Sequence, residues 1–433
     1  MIKTLHITNS YHPNSGGIRT FYTALLQAAN THRRLVRLVV PGRETSVQEI
    51  GSYGRIYTIA APRAPVLDQR YHVLLPQEYG WPGETPLRRI LTEERPDLVE
   101  ICDKFWMAYL PGVLRRQWIP GVPVPAIVGL TCERLDDMIA FHLSSGGLAR
   151  WLGKFYMQVL YAPRFDFHIA VSDYAAGELR RVLPAGAQDR LHVEPMGVDY
   201  ERFSGGRTSL AARADLARRL GGNARTVVLV YTGRLGYEKN LLLLPPMLQR
   251  LVSSGQHDFR FAIAGAGPIA SELRSSFERH APGRALFLGH CEAEQLAELY
   301  AAADVFVHPN AHEPFGIALL EAMAAGLPLV APACGGLLTY ANRQNAWLAE
   351  PAPEAFAAAI RSVVSNEAAR REKTAQGQKT AQGFAWGRVT ERYFQLYDRL
   401  HARFQDQRKG NRSIRSKKEL DAVNAGTGDY AAA

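Results

Sequence analysis

The segment HPNAHEPFGIALLEAMAAGLPLVAP carries two carboxylates, Glu313 and Glu321, in a setting that could do chemistry. The apolar run ADVFVHP predicts a strand ending at Pro309, then a short loop holding Glu313, then a helix from near Phe315 with Pro314 in its first turn. Backbone N–H groups at such a helix start, around Phe315 and Gly316, can hold an anion, helped by the positive end of the helix dipole. Further along the helix, Glu321 is flanked by Leu320, Ala322 and Met323, where an acid suits a polar ligand such as a ribose diol. The same spacing also fits a helix-capping Glu313 and a solvent-facing Glu321.

A guanidinium and an ammonium, Arg234 and Lys239, follow the apolar run TVVLVYTG in the segment YTGRLGYEKN. Converging at a strand end, they suit a diphosphate, whose charge must be stabilised as it leaves during group transfer. On local grounds they also fit surface cations near Glu238. Gly16 and Gly17 in NSYHPNSGGIRTF let the backbone approach a phosphate, with Ser15 or the next N–H groups capping a helix, and Gly265 in AGAGP offers a second such turn. Neither turn belongs to a dinucleotide-binding fingerprint or a nucleotide-hydrolase loop, which sets a dehydrogenase aside.

The loop TCERLDD crowds Cys132, Glu133, Arg134, Asp136 and Asp137 after the run VPAIVGL. One arginine partly offsets the repulsion among three carboxylates, an arrangement that could orient sugar hydroxyls. A nucleophilic Cys132 would need a histidine base; none is local, and His12, His142 and His308 reach it only through folding. No C-x-x-C or D-x-D occurs, and adjacent carboxylates on a helix do not face one another, so neither a metal nor a cofactor is expected.

Positioning these groups falls to short apolar runs that alternate with helical patterns along the chain, which predicts an α/β architecture with mostly parallel sheets. A first set of strands is expected at 4–8, 35–40, 97–101, 124–130, 167–172 and 191–195, and a second at 226–233, 259–265, 285–289, 303–309 and 327–332. Two sets imply two doubly wound domains, 1–199 and 200–385, facing a cleft where ligands bind at strand ends. Phe384, Val389, Tyr393, Leu396, Tyr397 and Leu400 predict a closing amphipathic helix, and the polar, basic stretch 403–433 reads as a disordered tail.

The 433 residues, 47% hydrophobic and 21% charged, suit such a globular protein and exclude a wholly disordered, collagenous or coiled-coil one. Four scattered cysteines exclude a disulfide scaffold and indicate a reducing compartment. With no apolar leader and no run of roughly 18 apolar residues, a cytoplasmic location is expected. The excess of 51 Lys and Arg over 41 Asp and Glu favours anionic partners. FWMAYLPGVLRRQWIP (105–120) and GLARWLGKFYMQVLYAPR (147–164) mix aromatic and cationic residues as peripheral membrane contact requires, and also fit packing against the first sheet.

Together, the E-x7-E of EPFGIALLE, GRLGYEKN, SYHPNSGGI, VSDYAAGEL and PMGVDYERF resemble the retaining glycosyltransferases of family 4 over residues 3–402. The resemblance implies the GT-B fold, two doubly wound Rossmann-like domains facing a central cleft, with a helix at 386–402 crossing back to the first domain. It also implies roles. Glu313 would hold the donor sugar hydroxyls and Glu321 the nucleotide ribose; Arg234 and Lys239, with the backbone around Gly17, would hold the diphosphate; and 289–296 would border the base. Gly16, Gly265, Phe315 and Gly316 join the donor-binding set, and Cys132, Glu133, Arg134 and Asp136 the sugar or acceptor vicinity. Cys132 departs from the similar subgroup, bacterial α-mannosyltransferases using GDP-mannose, which has histidine in H-E-R-L-D. The implied activity is retaining transfer of mannose from GDP-mannose, or of a hexose from a UDP-sugar, to a lipid-linked or glycan hydroxyl at the inner face of a membrane. The departing phosphate would itself take the acceptor proton. No metal, cofactor or nucleic acid is implied, and a sensor that binds a nucleotide sugar without turnover is the rival reading.

Overall fold

A parallel sheet must be covered on both faces, and the connections between its strands supply the covering helices. The computed structural model describes residues 1–12, 16–64, 71–81, 83–142, 147–205 and 210–426. One sheet holds β1 (Lys3–Thr8), β2 (Leu35–Gly42), β3 (Ser46–Ile50), β4 (Gly54–Ala60), β5 (Leu98–Cys102), β6 (Ala126–Thr131), β7 (Phe167–Ala170) and β8 (Leu191–Val193), in the order β3-β4-β2-β1-β5-β6-β7-β8. Its pairings are parallel except for the antiparallel hairpin of β3 on β4. Sequence reading misses both strands of that hairpin: the side chains of SVQEI in β3 stay largely exposed, and the buried residues of β4 are interrupted by Arg55 and Thr58. A second, wholly parallel sheet holds β9 (Val227–Thr232), β10 (Phe259–Ala264), β11 (Ala285–Gly289), β12 (Val305–Val307), β13 (Leu329–Pro332) and β14 (Trp347–Ala349), in the order β11-β10-β9-β12-β13-β14. Strand order reverses between β1 and β5 and between β9 and β12, and such reversals open a crevice at the carboxyl ends of the strands.

The helices that bear on that crevice are α1 (Gly17–Thr31), α2 (Leu135–His142), α3 (Gly147–Phe155), α4 (Asp173–Val182), α5 (Ile317–Ala324) and α6 (Trp386–Gly426). One buried cluster runs from Phe21 and Val128 through Met196 and Val198 to Phe315 and Leu320, so the two halves share a core. The chain crosses between them twice. The crossings are bonded to each other: the Val198 N–H donates to Phe384 O at 2.9 Å, and the Trp386 N–H donates to Val198 O at 3.1 Å. Gly197 lies against the second crossing, where a Cβ would come 2.5 Å from Trp386 Cε3 and 2.9 Å from Phe384 O.

Helix α6 returns to the first sheet. Tyr393 OH donates to Glu194 O and Tyr397 OH to the buried Glu100 carboxylate, each at 2.7 Å, and Glu100 also meets Tyr22 OH at 3.1 Å and His6 Nδ1 at 2.8 Å. Two expectations are corrected here. Phe384 precedes α6 and packs on Phe315 and Tyr340 instead. The stretch from 403, read as disordered, continues the helix to Gly426, with Phe404 buried and Arg408 donating to Val124 O at 3.1 Å. The basic residues that suggested disorder are also good helix formers, and the apolar stripe ahead of them nucleates the helix they extend. Residues 427–433 lie outside those described. Among the described residues, no helix is long and apolar enough to cross a membrane.

Candidate active site

Strand β12 ends at Val307 and delivers His308, Asn310 and Glu313 to the loop that follows. Glu313 is buried; its Oε2 meets Lys239 Nζ at 2.8 Å, Asn310 Nδ2 at 2.9 Å and His308 Nε2 at 3.1 Å. Burial would raise its pKa, but Lys239 and His308 outweigh burial and hold the carboxyl well below the usual range. Burial likewise pulls the His308 pKa down against the attraction of Glu313. Its ring stacks near Tyr231 and Phe306, at centroid distances of 6.2 and 6.5 Å. Glu313 is therefore no surface helix cap.

Lys239 reaches Glu313 from the turn after β9; burial opposes its charge, and the Glu313 carboxylate more than compensates. Arg234 stays half exposed, 3.9 Å from Glu238 Oε1. The two cations thus stand in different environments, one committed to a buried carboxylate and one open.

Helix α5 begins at Ile317, later than expected, because Gly316 takes a left-handed φ of 87° as its cap. A Cβ there would lie 2.8 Å from Leu319 Cδ1 and 3.0 Å from Glu313 Cγ. Pro314 consequently sits in the loop, not in the first turn, and its carbonyl accepts Ser172 Oγ at 2.6 Å from the first domain. Ser172 also caps α4 through the Ala175 N–H at 3.0 Å. The Phe315 side chain is buried against Tyr340, and its carbonyl accepts Tyr340 OH at 2.8 Å. The first-domain glycine loop meets the start of α5: a Cβ on Gly17 would lie 3.1 Å from Ile317 Cδ1. Gly16 caps α1 and faces open space, whereas Ser15 lies outside the described residues.

Glu321 accepts Tyr300 OH at 3.1 Å, and that hydroxyl lies 2.6 Å from Thr232 Oγ1. Burial pushes the Glu321 pKa up to about 7, against the Tyr300 hydrogen bond, so this acid is not solvent-facing. Tyr300 and Thr232 escape sequence reading because a buried tyrosine and a strand threonine look like core. Gly265 takes φ 148°, and a Cβ there would strike the Gly233 carbonyl. Its N–H donates to Gly289 O at 2.6 Å, so Gly265 packs strand-end turns together and sets the start of segment 289–296 beside them.

Across the cleft, Arg134 grips Asp136 with both arms, at 2.9 and 2.6 Å, and stacks 4.4 Å over Tyr174. Arg181 adds a second cation to Asp136 at 2.5 Å, so more positive charge is present than the loop alone suggested. Asp137 meets Tyr174 OH at 2.6 Å and His312 Nδ1 at 3.2 Å, the latter from the loop that holds Glu313. Behind the loop lies a pair that local sequence did not reveal: Lys104 Nζ donates to Glu178 at 2.7 Å and to Glu133 O at 2.5 Å. Cys132 has Cys102 as its neighbour, sulfur to sulfur 3.8 Å. Among the described residues, no group of three His, Cys, Asp or Glu side chains could hold a metal ion.

Two doubly wound halves, a shared cleft and a helix returning across it define the GT-B fold. The family of glycosyl transferases group 1 matches residues 213–380. A glycogen synthase of Mycobacterium tuberculosis is 37% identical over 307 residues, 70% of this chain and 69% of that one. A GDP-mannose-dependent alpha-(1-6)-phosphatidylinositol dimannoside mannosyltransferase of the same species is 28% identical over 390 residues, 90% of this chain and 94% of that one. Among solved structures, sucrose-phosphate synthase of Thermosynechococcus elongatus aligns with TM-score 0.71 at 21% identity, covering 92% of this chain and 99% of that one. HepE of Anabaena, in complex with UDP and glucose, aligns with TM-score 0.65 at 17% identity, covering 92% and 100%. The chain belongs to the family 4, or group 1, glycosyltransferases.

Proposed function

We propose that this glycosyltransferase moves a hexose from a nucleoside diphosphate sugar to a hydroxyl of a lipid-linked or glycan acceptor, with retention of configuration. The observation that carries the reading is the meeting of Glu313, Lys239, the start of α5 and Gly17 at facing strand ends. The Glu313 contacts fall on Oε2, which leaves Oε1 to accept from donor sugar hydroxyls. Lys239, Arg234 and the N–H groups at the start of α5 stabilise the departing diphosphate. Gly17 lets the backbone approach it, and Glu321 takes the ribose. The acceptor hydroxyl attacks the face from which the phosphate departs, and that phosphate takes its proton. Incubation with a panel of nucleotide sugars and acceptors should release nucleoside diphosphate and yield product; binding without turnover across the panel would overturn the reading.

Two donors draw support from different observations. GDP-mannose is supported by Glu133-Arg134-Leu135-Asp136 and by the mycobacterial mannosyltransferase. A UDP-hexose is supported at least as well by HepE, seen with UDP and glucose, and by Cys132 standing where the mannosyltransferase pattern has histidine. Competition between GDP and UDP decides: tighter UDP binding retires mannose, and tighter GDP binding retires the UDP-sugar.

For delivery of the acceptor, the reading includes contact with an anionic membrane. Leu148, Trp151, Leu152, Phe155 and Val159 are exposed at helical spacing on α3 and the turn after it. The other aromatic segment, 105–120, adjoins this face: Arg164 stacks 4.5 Å over the half-exposed Tyr109, Arg115 bonds Asp166 at 2.6 Å, and Tyr156 OH donates to Lys104 O. Trp151 and Phe155 face outward, as apolar insertion beside cations requires, while Met107, Leu110, Leu114 and Tyr161 of the same two segments pack in the core.

A further inference from the structure

Cys102 closes β5, Cys132 stands one residue beyond the neighbouring parallel strand β6, and their sulfurs are 3.8 Å apart. The hydrogen bonds of Cys291 and Cys334 go to carbonyls, of Gly289 and Ala311, and among the described residues Cys102–Cys132 is the one thiol–thiol hydrogen bond. We propose that Cys102 and Cys132 are an oxidisable pair in the cleft, converted to a disulfide by a peroxide or a low-molecular-weight disulfide, with displacement of the Glu133 loop and slower sugar transfer.

The geometry says which side yields. Bond formation brings the sulfurs to about 2.05 Å. Cys102 is buried in the middle of the sheet, its carbonyl accepting Thr8 Oγ1 at 3.2 Å. Cys132 has left the strand ladder and is partly exposed, and the residue after it is tied down by Lys104 at Glu133 O, 2.5 Å. Cys132 therefore meets the oxidant first and moves toward Cys102, drawing Glu133 off Lys104. The same loop carries Asp137, which meets His312 Nδ1 at 3.2 Å in the loop that holds Glu313, so the shift reaches the transfer site.

With a peroxide, the Cys132 thiolate attacks the O–O bond, becomes a sulfenic acid and releases water; the Cys102 thiolate then displaces the second oxygen as water and closes the S–S bond. Two thiols lose two protons and two electrons, and hydrogen peroxide becomes two waters. With a disulfide RSSR, Cys132 forms a mixed disulfide and releases RSH, and Cys102 releases the second RSH. The hydrogen bond to Cys102 and burial keep the Cys132 thiol protonated, so the first step is slow at neutral pH and quickens as pH rises.

The consequence for activity rests on the proposed transfer reaction; the chemistry of the pair does not. Reduced full-length protein is treated with hydrogen peroxide or oxidised glutathione, and peptides are mapped by mass spectrometry. The expected result is a Cys102–Cys132 crosslink with loss of most nucleoside diphosphate release, restored by dithiothreitol. Cys102→Ser and Cys132→Ser should lack both the crosslink and the oxidant response, whereas a Cys291→Ser/Cys334→Ser double variant should keep both. GDP and UDP binding by calorimetry is followed in parallel. A protein inactive when reduced defeats the transfer reading, while the crosslink and its effect on nucleotide binding still judge the pair. Absence of the crosslink, or crosslinked protein that binds and turns over as the reduced form does, overturns the proposal.

Discussion

Lys239 and Glu313 were separately visible as charged residues beside strand ends, but their pairing depends on β9 and β12 lying side by side, which no local pattern states. Their contact makes each hostage to the other. Lys239→Ala leaves the buried carboxylate with only Asn310 and His308, and removes a cation from the proposed diphosphate site. Turnover should fall about a hundredfold, on the order of 3 kcal/mol of lost transition-state stabilisation, read as kcat/KM against Arg234→Ala. Undiminished turnover in both variants would take them out of the mechanism. Glu321 makes a different forecast. Its carboxyl is raised from 4.5 to about 7 by burial, so the folded state holds a proton that the unfolded chain releases. Its contribution to stability is complete below pH 4.5 and is lost as pH rises through about 7. Donor affinity should rise over the same upper range, because the ionised carboxylate is the stronger acceptor for ribose hydroxyls. Tyr300→Phe removes a hydrogen bond that favours the ionised form and should move the inflection upward; KM measured from pH 5 to 9 in both proteins tests the assignment. Tyr300 could not be singled out beforehand, and His308 was considered only as a base for Cys132, since a polar group's role becomes recognisable only when folding leaves it beside a buried acid.

Elements were legible where apolar residues recur with a clear period. The expected parallel strands read well because burial on both faces makes them continuous apolar runs, while β3 failed because its exposed polar residues carry no such mark, β4 because Arg55 and Thr58 interrupt its run, and β14 because it is only three residues long. The extension of α6 failed for a related reason: beyond Phe404, composition no longer distinguishes a solvated helix from a disordered chain. Exposure on α3 was equally illegible, since Trp151 and Phe155 at helical spacing describe a buried face as well as an uncovered one. The two rings are in fact stacked 5.7 Å apart on the surface, with Trp151 59% exposed. Vesicles of anionic lipid should therefore sediment the protein more strongly than neutral ones and release it as salt rises. Trp151→Ser/Phe155→Ser should lose most of that binding while soluble-acceptor turnover is kept. Equal binding to neutral vesicles would remove the electrostatic part of the proposal, and unchanged binding by the variant would remove α3.

For the molecule as a whole, the two-sheet plan was readable from the restart of strand patterns after a polar connector, but not how the halves are tied together. That tie rests on Val198, whose N–H and C=O both engage the second crossing, and on Gly197, which allows Trp386 to lie against the first. Gly197→Ala forces a methyl group into that contact. Overpacking of this kind costs about 1–3 kcal/mol, which thermal unfolding should register. Turnover should fall more than nucleotide binding, because the intact half-site can still hold a nucleotide while the cleft is held off its closed geometry. The bonded crossings also decide what kind of machine this is. Two separate strings would let the halves slide, twist and part independently; two strings knotted at one rung leave a single pivot. A swing about it would have to part Ser172 from Pro314 and Asp137 from His312, contacts between the halves away from the rung, whereas Phe21 lies against Trp386 of the rung itself. A donor can thus be admitted at the expense of a few polar contacts at the rim, with the shared core left closed behind it.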